Sequence, residues 1–212
     1  MLYYFTNKKF GLENLEKRRL KISLFSTVND PFELLGVELS DKTVRKTVQY
    51  ENSVLTKEKG LLCFSSDKYN PVQWAHYSDN HKGLCLGFEI PNSYVEKVSY
   101  VANRLNKSIL NAPEKQKKLL TTKFNHWSYE QEYRMLLKLI NYPEESPNLR
   151  FKHFDELLTL KEVYIGCRSD LKFEDIKNAF QSTSGSVVVK HTRPAFKDFK
   201  IVWDKKQKSI RI

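Results

Sequence analysis

The sequence has 212 residues, of which 40% are hydrophobic and 13% aromatic, and its formal net charge is +11. This composition is typical of a folded globule, so we exclude a disordered chain and predict a single domain over residues 1–212. Neither a run of ~20 apolar residues nor a signal-peptide pattern occurs, which argues against a membrane partner and predicts a cytoplasmic protein. The positive charge makes nucleic acid a candidate partner.

The hydrophobic pattern predicts short strands that alternate irregularly with helices. In chain order the predicted elements are strand 2–5, helix 9–19, strand 21–25, helix 41–57, strand 60–64, helix 72–77, strands 84–88 and 98–101, helix 108–124, strands 126–137, 151–154 and 160–165, helix 172–180, and strands 187–190, 196–203 and 209–212. This order indicates an α+β fold with a mixed, largely antiparallel sheet flanked by helices, because a doubly wound fold would repeat its βα units regularly.

The three cysteines, Cys63, Cys85 and Cys167, lie far apart in apolar, strand-like runs. Their spacing indicates neither a disulfide framework nor a metal site, so we expect buried thiols. No GxGxxG, P-loop, HExxH, GxSxG or paired CxxC motif occurs either. The common dinucleotide-binding, ATPase, zinc-protease and hydrolase classes therefore have no motif support.

A polar turn follows the strand predicted at 21–25. Pro31 holds Asp30 extended in this turn, which contains the side chains of Ser26, Thr27 and Asn29. The turn either ends the strand as an Asx-type turn or presents these side chains to a ligand.

The helix predicted at 72–77 combines aromatic and polar side chains. It contains Trp74, His76 and Tyr77 and is followed by a polar turn at 79–81. The aromatic residues are either packing residues or one wall of a site. Because buried polar groups need partners, a concentration of them favours a site.

A basic helix is predicted at 108–124. Its lysines are Lys115, Lys117, Lys118 and Lys123. They form either a solvated face or a surface that contacts phosphate.

A charged run follows in the strand predicted at 126–137. A strand period of two places Glu130, Glu132 and Arg134 on one face. This face is either a solvated ion pair or the lining of a cleft.

Four sequence blocks resemble, in order, the signature blocks of a bacterial family, the domain of unknown function 2971 family. The blocks are residues 29–33 (NDPFE), 74–83 (WAHYSDNHKG) with Cys85, 127–134 (WSYEQEYR) and 163–166 (VYIG). The resemblance covers residues 2 to at least 166. The family often has an Arg shortly after its opening Leu-Tyr, where this chain has Phe5, Thr6 and Asn7.

The order of predicted elements is also similar to the ADP-ribosyltransferase fold. The shared features are an N-terminal strand, a helix, a strand ending in Ser26 and Thr27, and a late strand with Glu-x-Glu. This resemblance implies that Glu132 stabilises the ribosyl cation as nicotinamide leaves NAD, with Glu130 as its upstream partner.

The same resemblance implies that Ser26 and Thr27 contact NAD, together with Tyr3 or Thr6 on the first strand. For an NAD-using enzyme we add Asn29, Trp74, His76 and Tyr77 as further NAD-contacting candidates, with Arg134 beside the two catalytic glutamates. The first strand has neither the His nor the Arg found in the main subclasses.

Two functions are therefore expected. The first is an NAD-using ADP-ribosyltransferase or NAD glycohydrolase that works as a toxin or in anti-phage defence. The alternative is a nucleic-acid-binding module of a defence system, in which Glu130, Glu132 and Asp79 hold a divalent metal, or the basic helix merely contacts phosphate.

Whichever chemistry applies, we expect one concave site. Its predicted lining is Asn29, Trp74, His76, Tyr77, Glu132 and Arg134, with Glu132 and Arg134 hydrogen-bonded.

Overall fold

The computed structural model describes residues 1–180 and 186–212. In chain order its elements are β1 (Leu2–Thr6), α1 (Lys8–Glu16), β2 (Arg19–Lys21), β3 (Ser23–Leu24), α2 (Lys42–Glu58), β4 (Lys59–Ser65), α3 (Pro71–Tyr77), β5 (Leu84–Glu89), β6 (Glu96–Lys97), β7 (Ser99–Val101), α4 (Lys115–Thr121), β8 (Thr122–Phe124), β9 (Glu132–Lys138), β10 (Phe151–His153), β11 (Thr159–Ile165), α5 (Phe173–Ala179), β12 (Val188–Pro194), β13 (Ile201–Trp203) and β14 (Ile210–Arg211).

The internal contacts of the chain divide it into two compact units. Unit 1 comprises Met1–Leu20, Phe64–Asn92 and Lys152–Ile212, and unit 2 comprises Lys21–Cys63 and Ser93–Phe151. The single domain over residues 1–212 stays a prediction.

Unit 1 is built on a sheet with the strand order β13-β12-β11-β5-β1. β1 is antiparallel to β5, from Leu2 opposite Phe88 to Thr6 opposite Leu84. β5 is antiparallel to β11, whereas β11 and β12 are parallel. One core cluster of this unit consists of the buried side chains of Tyr3, Trp74, Cys85, Tyr164 and Ile201.

In unit 2, β9 lies between β4 and β6, and β3 pairs with β4. Helix α2 begins after Asp41, whose carboxylate accepts hydrogen bonds from the backbone N–H groups of Thr43 and Val44. Val44, Val48 and Leu55 form the buried face of this helix. The apolar residues thus recur with the helical period predicted from the sequence.

The strand pairing confirms a mixed, mostly antiparallel α+β fold. Parallel pairs among the described residues include β11 with β12 and β7 with β8, and the other registered pairs of named strands are antiparallel. None of the helices in the described residues combines the length and the apolar character needed to cross a bilayer. The three cysteines are free thiols; Cys85 is buried and the other two are half-buried.

The basic helix predicted at 108–124 is wrong. The chain forms a 3₁₀ turn at Lys107–Asn111, then the short helix α4, and then β8. The break has a local cause, because Pro113 disfavours helical backbone at Ala112, which is extended with φ −79° and ψ 147°.

The strand predicted at 126–137 is wrong in its first half. Residues Asn125–Glu130 form a 3₁₀ turn, Gln131 has the left-handed backbone angles φ 43° and ψ 49°, and β9 begins only at Glu132. Glu130 therefore does not share a strand face with Glu132 and Arg134. The strand predicted at 196–203 is likewise reduced to β13, since residues 195–200 form a loop after Pro194.

A tight backbone contact in unit 1 requires glycine at position 166. Asp79, Asn80 and His81 all have positive φ, and this left-handed turn brings the His81 carbonyl against Gly166. A Cβ atom at Gly166 would lie 2.1 Å from the His81 carbonyl oxygen. Backbone cannot move aside as a flexible side chain can.

We therefore expect Gly166→Ala to lower the free energy of unfolding by about 3 kcal/mol, the upper range for inserting a methyl group into a packed site. Gly87→Ala is the matched control in the same sheet, because its Cβ would meet the side chains of Glu162 and Tyr3 at 3.2 Å. In urea unfolding, that control should lose about 1 kcal/mol of unfolding free energy. Equal losses in both variants would contradict the backbone contact.

Candidate functional site

Unit 2 contains a group of charged side chains that are almost completely buried. The buried ion cluster consists of Glu33, Lys123, Glu130, Glu132 and Arg134, and none of these side chains is more than 7% exposed. Three carboxylates and two cations thus share one interior region. Isolated buried charges are strongly unfavourable, so each must have partners of opposite charge.

Arg134 is the centre of the buried ion cluster. Its guanidinium donates to both carboxylate oxygens of Glu33, at 2.6 and 3.0 Å, and to Glu132 at 2.8 Å through Nε. It also donates to the backbone carbonyl of Leu120 at 2.7 Å. The predicted hydrogen bond between Glu132 and Arg134 is confirmed, and the bidentate pair with Glu33 fixes the polar turn that precedes α2.

Lys123 connects the two glutamates of the Glu-x-Glu motif. Its Nζ lies 2.6 Å from Glu130 and 3.3 Å from Glu132. The same ammonium lies 4.6 Å from the centre of the Trp127 ring, a distance that permits a cation–π interaction. The two carboxylates therefore bind the same lysine ammonium, although they do not share a strand.

The electrostatics keep Glu132 ionised. Burial by itself would raise the pKa of its carboxyl group, but Arg134 and Lys123 lower that pKa below the usual 4.5. Burial raises the pKa of Tyr100 to about 12, and its hydroxyl oxygen accepts the backbone N–H of Glu132 at 2.8 Å. Burial followed by the nearby Glu132 charge raises the pKa of the Cys63 thiol, so Cys63 stays protonated.

A cavity of about 450 Å³ in unit 2 is lined by residues adjacent to the buried ion cluster. Its lining includes Phe32, Arg104, Lys123 and Phe124. The two phenylalanines are 53% and 41% exposed. The guanidinium of Arg104 lies 5.6 Å from the centre of the Phe32 ring. We call this the aromatic cavity.

The buried ion cluster positions the walls of the aromatic cavity. Phe32 is the neighbour of Glu33, which binds Arg134, and Phe124 is the neighbour of Lys123. The Phe32 N–H also donates to the Asp30 carboxylate at 2.9 Å, which is the hydrogen bond of an Asx-type turn, one of the two alternatives for this segment. Sequence reasoning missed this cavity because Phe32, Arg104 and Phe124 come from distant segments without a shared motif.

The predicted residues Ser26, Thr27 and Asn29 lie in unit 2 and are exposed. Ser26 and Thr27 form a 3₁₀ turn with Phe25, and the Thr27 hydroxyl donates to the Leu24 carbonyl at 2.9 Å.

In unit 1, His76 and Tyr77 line a separate cavity of about 670 Å³. Asn7 and Lys8, at the start of α1, line the same cavity. His76 and Tyr77 contact each other edge-to-face, with ring centres 6.1 Å apart.

The other predicted residues of unit 1 are buried. Trp74 has 0% exposure, and its indole N–H donates to the Lys68 carbonyl at 2.7 Å. Tyr3 is 8% exposed and Thr6 is 7% exposed. Trp74 therefore presents no face to a ligand in this structure and is a packing residue of the core.

The concave site expected from the sequence draws on both units. Trp74, His76 and Tyr77 belong to unit 1, whereas Asn29, Glu132 and Arg134 belong to unit 2. One common site for these residues stays a prediction.

Three of the four lysines in the region predicted as a basic helix have acidic partners. Lys115 binds Glu51 at 2.7 Å and Lys117 binds Glu96 at 2.6 Å, while Lys123 belongs to the buried ion cluster. This region therefore has less free positive charge than the sequence suggests. Across the described residues, no group of three or more His, Cys, Asp or Glu side chains is placed to hold a metal ion.

A family model described as "Protein of unknown function (DUF2971)" matches residues 73–135. The family resemblance expected from the sequence is thus confirmed over this stretch, which begins on α3 and ends on β9. No curated protein and no solved structure matches the chain. The similarity to ADP-ribosyltransferases stays a prediction.

We expect Glu132→Gln to lower the free energy of unfolding at pH 7 by about 3 kcal/mol, because it leaves a buried cation without its counter-charge. The folded pKa of Glu132 is lowered, so this stabilisation is complete above the usual pKa of 4.5 and is lost as pH falls through the folded pKa. The difference between the parent and the variant should therefore shrink below about pH 4.5.

The control for this prediction is Glu96→Gln, which removes an exposed carboxylate that pairs with Lys117. This control should lower the free energy of unfolding by less than about 1 kcal/mol. Chemical unfolding at a series of pH values measures both. A Glu132→Gln difference that stays constant down to pH ~3 would contradict an ionised, paired Glu132.

Proposed function

We propose that the aromatic cavity of unit 2 binds a nucleotide, with NAD as the first candidate because the sequence resembles NAD-using enzymes. Nucleotides combine an aromatic base with anionic phosphates. A site for them needs a flat apolar face and a cation close together.

The observation that carries the proposal is the combination of Phe32, Phe124 and Arg104 around one cavity. Exposed phenyl rings offer faces for stacking, and within the described residues no carboxylate pairs with Arg104. The volume of about 450 Å³ lies within the range of ~300–1,000 Å³ typical of small-molecule sites. The cavity thus has the size and the chemistry for one nucleotide moiety.

A second candidate function is cleavage of the nicotinamide–ribose bond of NAD, the reaction expected of a toxin or defence effector. The supporting observation is that Glu132 is kept ionised only 3.3 Å from Lys123, which itself lines the aromatic cavity. A fixed carboxylate favours an oxocarbenium-like charge that develops nearby. Because Glu132 is 3% exposed, this function requires Lys123 to move aside when substrate binds.

We expect Arg104→Gln to weaken the binding of NAD and ADP-ribose by about tenfold, the effect of ~1.4 kcal/mol for a lost charge-assisted contact. Lys46→Gln, an exposed charge on α2, is the matched control and should leave affinity unchanged. Isothermal titration calorimetry with both ligands measures this. No binding by the parent protein, or equal affinities in the two variants, would remove the nucleotide proposal.

For the cleavage function, we expect Glu132→Gln to reduce nicotinamide release from NAD by about 100-fold or more, the size of a lost transition-state charge interaction. Release is followed by chromatography, with circular dichroism to confirm that the variant is folded. Glu96→Gln should retain the parental rate. If the parent releases nicotinamide only at the uncatalysed rate, the cleavage function is excluded.

A further inference from the structure

Unit 1 exposes two large aromatic side chains on the loop between β12 and β13. We call residues 195–200 the basic-aromatic loop. Phe196 is 82% exposed and Phe199 is 99% exposed. Exposed phenylalanines so close together are unusual on a protein surface that has no partner.

The shape of this loop is fixed by local contacts. The Ala195 N–H donates to the Lys200 carbonyl at 2.8 Å, and the Lys200 N–H donates to the Asp198 carbonyl at 2.9 Å. The guanidinium of Arg193 lies 4.0 Å from the centre of the Phe196 ring, within cation–π distance. The exposed rings therefore belong to an ordered hairpin connection.

The basic-aromatic loop has available positive charge. Lys197 and Lys200 belong to it, and Arg168 lies beside it in the lining of a shared cavity. Among residues 1–180 and 186–212, no carboxylate lies within ion-pair distance of these three cations. Asp198 is the acidic residue of the loop, so positive charge predominates.

The cavity next to the loop has a volume of about 460 Å³. Besides the loop itself, His81, Cys167 and Arg168 line it. A flat aromatic group can thus enter a concave, partly polar space beside the exposed rings.

We propose that the basic-aromatic loop and its adjacent cavity bind single-stranded nucleic acid. Proteins that bind single strands combine stacking of bases on aromatic rings with cations that contact the phosphates, and both occur here. The net charge of +11 complements such a polyanion.

An anionic membrane surface is the competing occupant. The observations favour a single strand because the rings adjoin a concave cavity that can accept a base, whereas membrane insertion needs only a protruding apolar tip. Asp198, between the two phenylalanines in sequence, also opposes insertion into an anionic bilayer. This site lies in unit 1 and is independent of the nucleotide proposal for unit 2, so Arg104→Gln should not affect it.

The test is fluorescence anisotropy with labelled oligothymidylate and oligouridylate, which represent DNA and RNA. Replacing both rings, by Phe196→Ala with Phe199→Ala, should weaken binding to at least one oligonucleotide by about tenfold or more. Lys197→Gln with Lys200→Gln should make the dependence of log affinity on log salt shallower by about 1.4, since each lost phosphate contact changes the single-strand slope by ~0.7.

The controls lie in unit 1. Phe10→Ala, which removes a ring on α1 that is 53% exposed, is the control for the ring variant. Lys9→Gln with Lys177→Gln is the control for the lysine variant. Both should bind the oligonucleotides like the parent. The proposal is overturned if the ring variant and Phe10→Ala bind equally well. It is also overturned if neither oligonucleotide binds while vesicles containing anionic phospholipid sediment the parent and not the ring variant.

Discussion

The buried guanidinium of Arg134 must have hydrogen-bond acceptors, and this requirement organises unit 2. A buried guanidinium cannot lose its proton, so the fold must supply acceptors for its donors. Glu33 comes from the turn before α2, Glu132 from β9 and the Leu120 carbonyl from α4. A buried pair of this kind adds little net stability over an apolar packing, but removing one partner is costly. Its main effect is therefore to fix where these segments lie, and with them Phe32.

Several residues of the matched family region have architectural roles in this structure. Trp74 is buried in the core of unit 1, and Glu132 and Arg134 are buried in unit 2. Gly83, in the same region, leaves no room for a Cβ, which would lie 2.1 Å from the Thr6 carbonyl oxygen. A polar signature can thus arise from caps, tight turns and buried charges. The exposed aromatic and cationic groups that suit a ligand are Phe32, in the first signature block, and Arg104 and Phe124, which lie between blocks.

The sequence predicted some features whose cause is local, missed others of that kind, and missed the contacts whose cause is distant. The helix predicted at 72–77 is present as α3, because the Asn70 side-chain cap and the fixed φ of Pro71 act within one turn. Pro113 is an equally local signal, and it argues against one long basic helix. The left-handed Gln131 had no comparable signal in the strand pattern. The convergence of Phe32 with residues far along the chain depends on the buried ion cluster, and no spacing rule encodes it.

A crystal structure of the protein with ADP-ribose would show whether the buried ion cluster holds the proposed nucleotide site in place. We expect the adenine ring to stack on Phe32 or Phe124, the phosphates to lie beside Arg104, and Arg134 to remain bound to Glu33. Clear electron density for ADP-ribose in the cavity of His76 and Tyr77, with the aromatic cavity empty, would contradict this expectation.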